Sequence, residues 1–228
     1  RLKSIQLELE KKSALLEKAE EVSRVGSWEW DIPNDRWQFS NQWLRIHGFS
    51  EQPDGLDALR EIVLREDLPR LEKALSDALH GVRPYDIQHQ FVNQQTGELR
   101  WLHAHGDVAF DTEHRPIRMI GVARDITDER KTHEQANLLA AIVENSPDFI
   151  GISTTDRKAI YVNEAGRRMV GLGSVDAVKR TAIEEYLFPE DLSFVWSHIL
   201  PDVQEKGRWS GEFRFRHFQS HEEIPQAR

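Results

Sequence analysis

Glu66-Asp67-Leu68 recurs as Glu190-Asp191-Leu192, and the turn Thr96-Gly97 recurs as Ser220-His221, both after 124 residues. Asn41 and Asn163 each open a short helix at nearly the same spacing. A period this long repeats a whole domain, so the chain reads as one fold written twice. Its 228 residues suffice for two ordinary domains at roughly 100 to 200 residues each. By the same offset the last strand of the second copy ends near residue 249, roughly twenty residues past Arg228. That copy is therefore expected to lack its closing hairpin and exit joint, leaving an open sheet edge.

The first copy ends on Gly121 to Lys131, where a strand runs into a helix without a turn residue. Ile117, Met119, Gly121 and Ala123 alternate with Arg118, Ile120, Val122 and Arg124, the period of a two-faced strand. Thr127 can cap the following helix, and Asp128 and Glu129 suit the positive end of its dipole. Such a junction passes displacement from sheet to helix.

Upstream, Leu2, Ile5, Leu9, Lys12, Leu16 and Ala19 fall at alternating three- and four-residue spacings, which reads as a coiled-coil helix, with a single amphipathic helix as the alternative. Leu2, Ile5, Leu9 and Leu16 are its dimerisation candidates. Gly26 is expected to end that helix. Ser27 to Asp31 and Trp37 to Ser40 read as a hairpin, Asn41 to His47 as a short helix, and Gly48 to Leu59 as largely irregular. Asp67 to His80 carries a helical stripe of Leu68, Leu71, Leu75, Ala78 and Leu79, with His80 turned to solvent. Two longer strands follow: Tyr85, Ile87, His89 and Phe91 share one face, then Leu102, Ala104, Gly106 and Val108, whose small members leave space. The second copy repeats the order with strands at 149–153, 160–162 and 211–218 and helices at 163–170 and 191–204.

The expected architecture is α+β: a helix over 1–24, a first domain over 25–126, a linker helix over 127–145 and a second domain over 146–228. Each domain is a five-stranded antiparallel sheet with flanking helices, the second C-terminally incomplete. No apolar run approaches the roughly 18 residues of a membrane span. A net charge of −9 disfavours nucleic acid as a partner. The chain has no cysteine, which removes thiolate sites and fits a reducing cytoplasm.

Gly26-Ser27-Trp28-Glu29-Trp30-Asp31, Gly97-Glu98-Leu99-Arg100-Trp101 and Asp125-Ile126-Thr127 resemble the PAS sensory domains of bacterial signalling proteins. The second copy resembles another PAS subtype through Glu144-Asn145-Ser146-Pro147-Asp148, Tyr161-Val162-Asn163-Glu164-Ala165 and Gly211-Glu212-Phe213-Arg214. The resemblance implies a small internal cavity, homodimerisation through the flanking helices, and output to an effector domain in the same chain. A histidine kinase of a two-component system is the first expectation for that effector and a diguanylate cyclase the second. No residue of either catalytic domain is found in this segment, so it is not expected to be an enzyme.

Asp125, Ile126 and Thr127 are the signal-transmission candidates. His89, Phe91, Ala104, Gly106, Ile152 and His198 are the candidates for a pocket that takes a small-molecule ligand. His89 also reads as a satisfied core histidine. His198 falls at Ala74 of the first copy, on the helix from which haem-binding PAS domains ligate iron, but it sits on the flank of the apolar stripe. His103, His105 and Asp107 project from one strand face, where alternation alone explains them, and no metal is expected. His133-Glu134 resembles a kinase phosphoacceptor but precedes another sensory domain, so it reads as exposed linker. No cofactor is identified. A haem or flavin redox or gas sensor, and a cofactor-free oligomerisation spacer, stand as alternatives; an adduct-forming flavin photosensor is excluded by the missing cysteine. Five tryptophans in the first copy shrink its cavity, so the second is the preferred ligand holder.

Overall fold

Helix α1 spans Leu2–Ser23 in the computed structural model, which describes residues 2–211 and 214–225. It ends on Arg24, which takes the left-handed conformation at φ 55°. Gly26 is therefore not the helix stop expected of it. It lies inside strand β1 (Val25–Asp31), where the backbone of Trp43 comes so close that no side chain fits. The chain divides into two units, Arg1–His133 and Glu134–Arg228.

In the first unit β1 turns through Asp35, at φ 46°, into β2 (Arg36–Phe39). Helix α2 covers Asn41–His47 and is capped by Ser40, whose hydroxyl accepts the Trp43 amide at 3.2 Å. Asn41 opens the helix as expected. A further helix, α3 (Gly55–Ile62), occupies part of the stretch expected to be irregular. The turn-formers Pro53, Asp54 and Gly55 end just where it begins, and Leu56, Leu59 and Ile62 then recur every three residues along one side of it.

Helix α4 (Leu68–Leu79) buries Leu71, Ala74 and Ala78. Strands β3 (Tyr85–Val92), β4 (Leu99–Phe110) and β5 (Pro116–Asp125) complete an antiparallel sheet in the order β2-β1-β5-β4-β3. Alternation puts Tyr85, Ile87, His89 and Phe91 on the buried face, with Leu102, Ala104, Met119 and Ala123 beside them. β5 then passes into helix α5 (Thr127–Glu144).

The second unit repeats this plan in part. β6 (Gly151–Ser153) starts two residues later than expected and pairs with β7 (Ala159–Val162). Helix α6 (Glu164–Val170) is capped by Asn163 and closed by Gly171 at φ 77°. A short helix α7 (Val175–Val178) precedes α8 (Pro189–Phe194), a π-helical turn (Val195–Ile199) and α9 (Leu200–Lys206). The widened turn has a local cause in Pro201, which cannot donate to the carbonyl four residues back and crowds it.

β8 (Arg214–Arg216) is shorter than the strand expected over 211–218, and Glu212 and Phe213 lie outside the described residues. It pairs with β9 (Glu223–Pro225). Among the described residues this unit therefore has two two-stranded ribbons where five strands are the pattern of the first.

The repeat is physical as well as textual. The Asn93 amide bonds Glu98 O at 2.9 Å and the Gly97 amide bonds Asn93 O at 2.8 Å; 124 residues on, His217 bonds Glu222 O and His221 bonds His217 O, both at 3.0 Å. Gly97 and His221 both sit at positive φ, at 71° and 59°.

Candidate ligand cavities and the helical joint

The first unit encloses a cavity of about 50 Å³ between the buried sheet face and helices α2 to α4. It is smaller than the small residues of β4 and β5 suggest, because Trp28 occupies the space they leave. A Cβ on Gly121 would lie 2.3 Å from the Trp28 ring, and one on Gly106 2.9 Å from it. The two glycines form the slot for one indole.

His47 and His89 line what remains. His47 stacks on Trp43 with ring centroids 3.7 Å apart, and its Nδ1 donates to Trp43 O at 2.9 Å. Burial pushes its pKa down to about 3, helped by the nearby His89 and opposed by that hydrogen bond. His89 is 4% exposed, and its Nδ1 has no hydrogen-bond partner among the described residues. Burial holds its pKa down at about 4, with Asp67 opposing and Arg70 adding to the shift. Both rings are neutral at pH 7.

The six pocket candidates fall in five places. His89 and Ala104 line this cavity, and Phe91 is fully buried in the core, its ring 4.9 Å from His47. Gly106 serves the Trp28 slot. Ile152 lines a groove of about 190 Å³ in the second unit, together with Phe149, Tyr161, Tyr186, Val195 and Phe215. His198 is not in that groove: it is exposed, bonded through Nδ1 to Ser197 Oγ at 2.7 Å and stacked on Phe194. Its ring projects from the flank of the π turn, whereas Val195 and Ile199 face the groove.

On the outer sheet face His103 and His105 share a carboxylate, but it is Asp86 of β3 rather than Asp107 of their own strand. His103 Nε2 lies 2.8 Å from Asp86 Oδ1 and His105 Nδ1 3.8 Å from Oδ2. Among the described residues no group of three such side chains could hold a metal ion.

The joint at the end of β5 is tightly bonded. Thr127 is buried; its hydroxyl accepts the Trp101 amide at 2.9 Å and donates to Asp125 Oδ1, which also accepts the Thr127 amide at 2.9 Å. Arg100 reaches the other Asp125 oxygen at 3.3 Å. Ile126 is buried, and its amide donates to Trp101 O at 2.9 Å. One turn into α5, Arg130 lies over the Trp101 ring at 3.9 Å and donates to Gln88 Oε1 at 2.8 Å. The first turn of α5 is thus fastened to β4 and β3. Thr127 does not cap α5 as expected, since its hydroxyl faces β4 and Asp125 instead; Arg100 and Arg130 were not anticipated, because their partners are distant in the chain.

Ile5 and Leu16 on α1 are 53% and 67% exposed, while the side chains of Leu2 and Leu9 lie outside the described part. Leu138, Leu139 and Ile142 on α5 are also exposed, as is His133. No helix among the described residues is long and apolar enough to cross a membrane.

A curated relative, the hybrid signal transduction histidine kinase I of Dictyostelium discoideum, is 21% identical over 169 residues, covering 70% of this chain and 9% of its own length. The chain thus spans about a tenth of that protein. A sensory box histidine kinase/response regulator structure from Burkholderia thailandensis has a TM-score of 0.48 at 23% identity, covering 55% of this chain and 95% of that one. The N-terminal domain of a diguanylate cyclase with PAS/PAC sensor from Marinobacter aquaeolei has a TM-score of 0.41 at 14% identity, covering 46% and 98%. Two PAS fold families match, one over residues 36–123 and one over residues 137–219. With its five-stranded first unit and the partial copy that follows, the chain belongs to the PAS family as two sensory domains in tandem, of the kind found in signal-transduction proteins such as histidine kinases.

Proposed function

We propose that the chain is the sensory and dimerisation module of a signalling protein, histidine kinase first and diguanylate cyclase second, and that it acts by transmitting a bound state rather than by catalysis. The observation that carries this reading is the lock at Thr127. A helix whose first turn is fastened to the sheet by Asp125, Thr127 and Arg130 follows displacements of that sheet. A ligand that prefers one packing of sheet and helix shifts their equilibrium by its differential affinity. The exposed apolar side chains of α1 and α5 support homodimerisation through those helices, with output to an effector in the same chain. The cysteine-free composition supports a cytoplasmic setting.

The unpartnered Nδ1 of His89 favours sensing over a mere spacer, because a buried polar atom without a partner invites one. Haem and flavin are disfavoured in the first unit, whose 50 Å³ cavity is far below the roughly 300 Å³ at which ligand pockets begin.

Light scattering on the chain and on Leu16→Glu tests the dimer: the substitution should lower the mass, and an unchanged mass counts against the coiled coil. In the full-length protein, Asp125→Ala should uncouple ligand from output. Intact, ligand-dependent signalling in that variant would reduce the joint to a connection.

A further inference from the structure

The hairpin that opens the first unit sets two indoles against each other. Trp30 of β1 and Trp37 of β2 are direct cross-strand partners, and their rings stack with centroids 4.8 Å apart at an interplanar angle of 14°. Asp35, in the left-handed turn between them, serves both: its Oδ1 accepts from Trp30 Nε1 at 2.9 Å and from Trp37 Nε1 at 3.4 Å. The adjacent Arg36 is engaged by Asp31 at 3.5 Å. Both indoles are half-buried and Asp35 is exposed, so a soluble reagent reaches the group. Cross-strand packing explains why the rings stack. It gives no reason for one carboxylate oxygen to accept from both ring nitrogens.

An indole that loses an electron becomes a cation with an acidic N–H. A stacked ring offers that cation its negative face, and a carboxylate on the N–H makes the hydrogen bond charge-assisted. A base must lie within roughly 2.6 to 3.2 Å of the group it deprotonates, which Asp35 satisfies for Trp30 at 2.9 Å and not for Trp37 at 3.4 Å. We propose that Trp30, stacked on Trp37 and bonded to Asp35, is a one-electron oxidation site for a soluble oxidant of the radical class. One electron passes from the Trp30 indole to the oxidant, the Nε1–H bond breaks, its proton goes to Asp35 Oδ1, and a neutral indolyl radical remains. This site stands independently of the ligand-sensor reading. Trp101 is its natural contrast. It is half-buried on the same sheet, but the Arg130 guanidinium lies over its ring at 3.9 Å and opposes positive charge there.

The test is low-dose oxidation of the 228-residue chain by azidyl radical in air-saturated buffer, with the oxidised residues located by tandem mass spectrometry. Azidyl takes one electron and leaves as azide, and the indolyl radical then adds dioxygen and is trapped as a stable product. Trp30 should carry about tenfold more product than Trp101, a difference that one hydrogen bond to a charged group accounts for. Asp35→Asn tolerates the left-handed turn, so the hairpin keeps its fold while the charge and the base are removed. In that variant the ratio should fall several-fold. Trp30→Phe keeps a stacked ring without an N–H, and the product should move to Trp37, which shares the carboxylate. Similar yields at Trp30 and Trp101 in the wild type, or a ratio that Asp35→Asn leaves unchanged, would overturn the assignment. So would product in Trp30→Phe that shows no preference for Trp37 over Trp101.

Discussion

A Cβ on Gly26 would stand 2.4 Å from the Cα of Trp43. The first strand and the first helix of the sensory domain touch there backbone to backbone, and the Trp43 side chain is freed to fill the core. The second unit solves the same contact with the volumes exchanged. Phe149 stands where Gly26 does and Gly166 where Trp43 does, each displaced by 123 residues. A Cβ on Gly166 would lie 2.9 Å from the Phe149 ring and 2.6 Å from Val162 Cγ1.

Gly26→Ala should destabilise the first unit severely. The obstructing atoms are backbone, so no rotamer change relieves them, and overpacking of this kind costs about 3 kcal/mol or more. Gly173→Ala, where a Cβ meets nothing within 4 Å, is the control. Urea unfolding followed by tryptophan fluorescence reports mainly on the first unit, which holds five of the seven tryptophans, Trp28, Trp30, Trp37, Trp43 and Trp101. A midpoint within error of the wild type would contradict the packing described.

Alternation made the long strands legible in advance, because Tyr85, Ile87, His89 and Phe91 must share a face and one face must be buried. The position of the junction was legible from its acidic first turn and the absence of a breaker, but its bonding was not: the Thr127 hydroxyl accepts the Trp101 amide of β4 instead of capping α5, and Asp125 accepts the first amide of the helix. What stayed hidden depended on contacts distant in sequence. Gly26 looked like a helix stop because glycine usually is one, whereas its role is set by Trp43. Gly106 looked like empty space because nothing local says that Trp28 enters it. His198 looked like a groove residue until the π turn and its stacking on Phe194 fixed its direction.

Acid should weaken the first unit before its carboxylates titrate. Burial keeps His89 neutral down to about 4 and His47 down to about 3, whereas an unfolded histidine takes up its proton near 6.5. Below that value the unfolded state binds protons that the folded state refuses. Stability is therefore full above about pH 7 and is lost as pH falls toward the folded values, by on the order of 2 kcal/mol per histidine at pH 5. Urea midpoints at pH 7, 6 and 5 check this, and His89→Leu should lose about half of the dependence. A flat profile from pH 7 to 5 would show that the rings reach solvent.

Thr127→Val should loosen the joint without unfolding the sheet. The methyl that replaces the hydroxyl leaves the Trp101 amide without an acceptor and Asp125 without one donor, at a cost of about 1 to 2 kcal/mol. Amide exchange in the first turn of α5 should rise several-fold while β3 to β5 stay protected. Thr127→Ser, which keeps the hydroxyl, should restore most of the protection.

Asn163 offers the sharpest test of polarity in the second unit. Its amide nitrogen donates to three carbonyls, while its oxygen accepts the amides of Ile150 and Gly166, each at 3.0 Å. Asn163→Ala leaves those groups unpaired in a buried site and should cost about 3 kcal/mol or more. Asn163→Asp is nearly isosteric, yet it should be at least as damaging. It replaces the donor by an acceptor facing the carbonyls of Val143, Ser146 and Asp148, and it buries a charge. Stability of Asn163→Asp should therefore improve as the pH is lowered toward 4, because a protonated carboxyl regains one donor. Thermal unfolding of both variants between pH 7 and 4 measures the difference, and an aspartate variant as stable as the wild type at pH 7 would refute the bonding pattern.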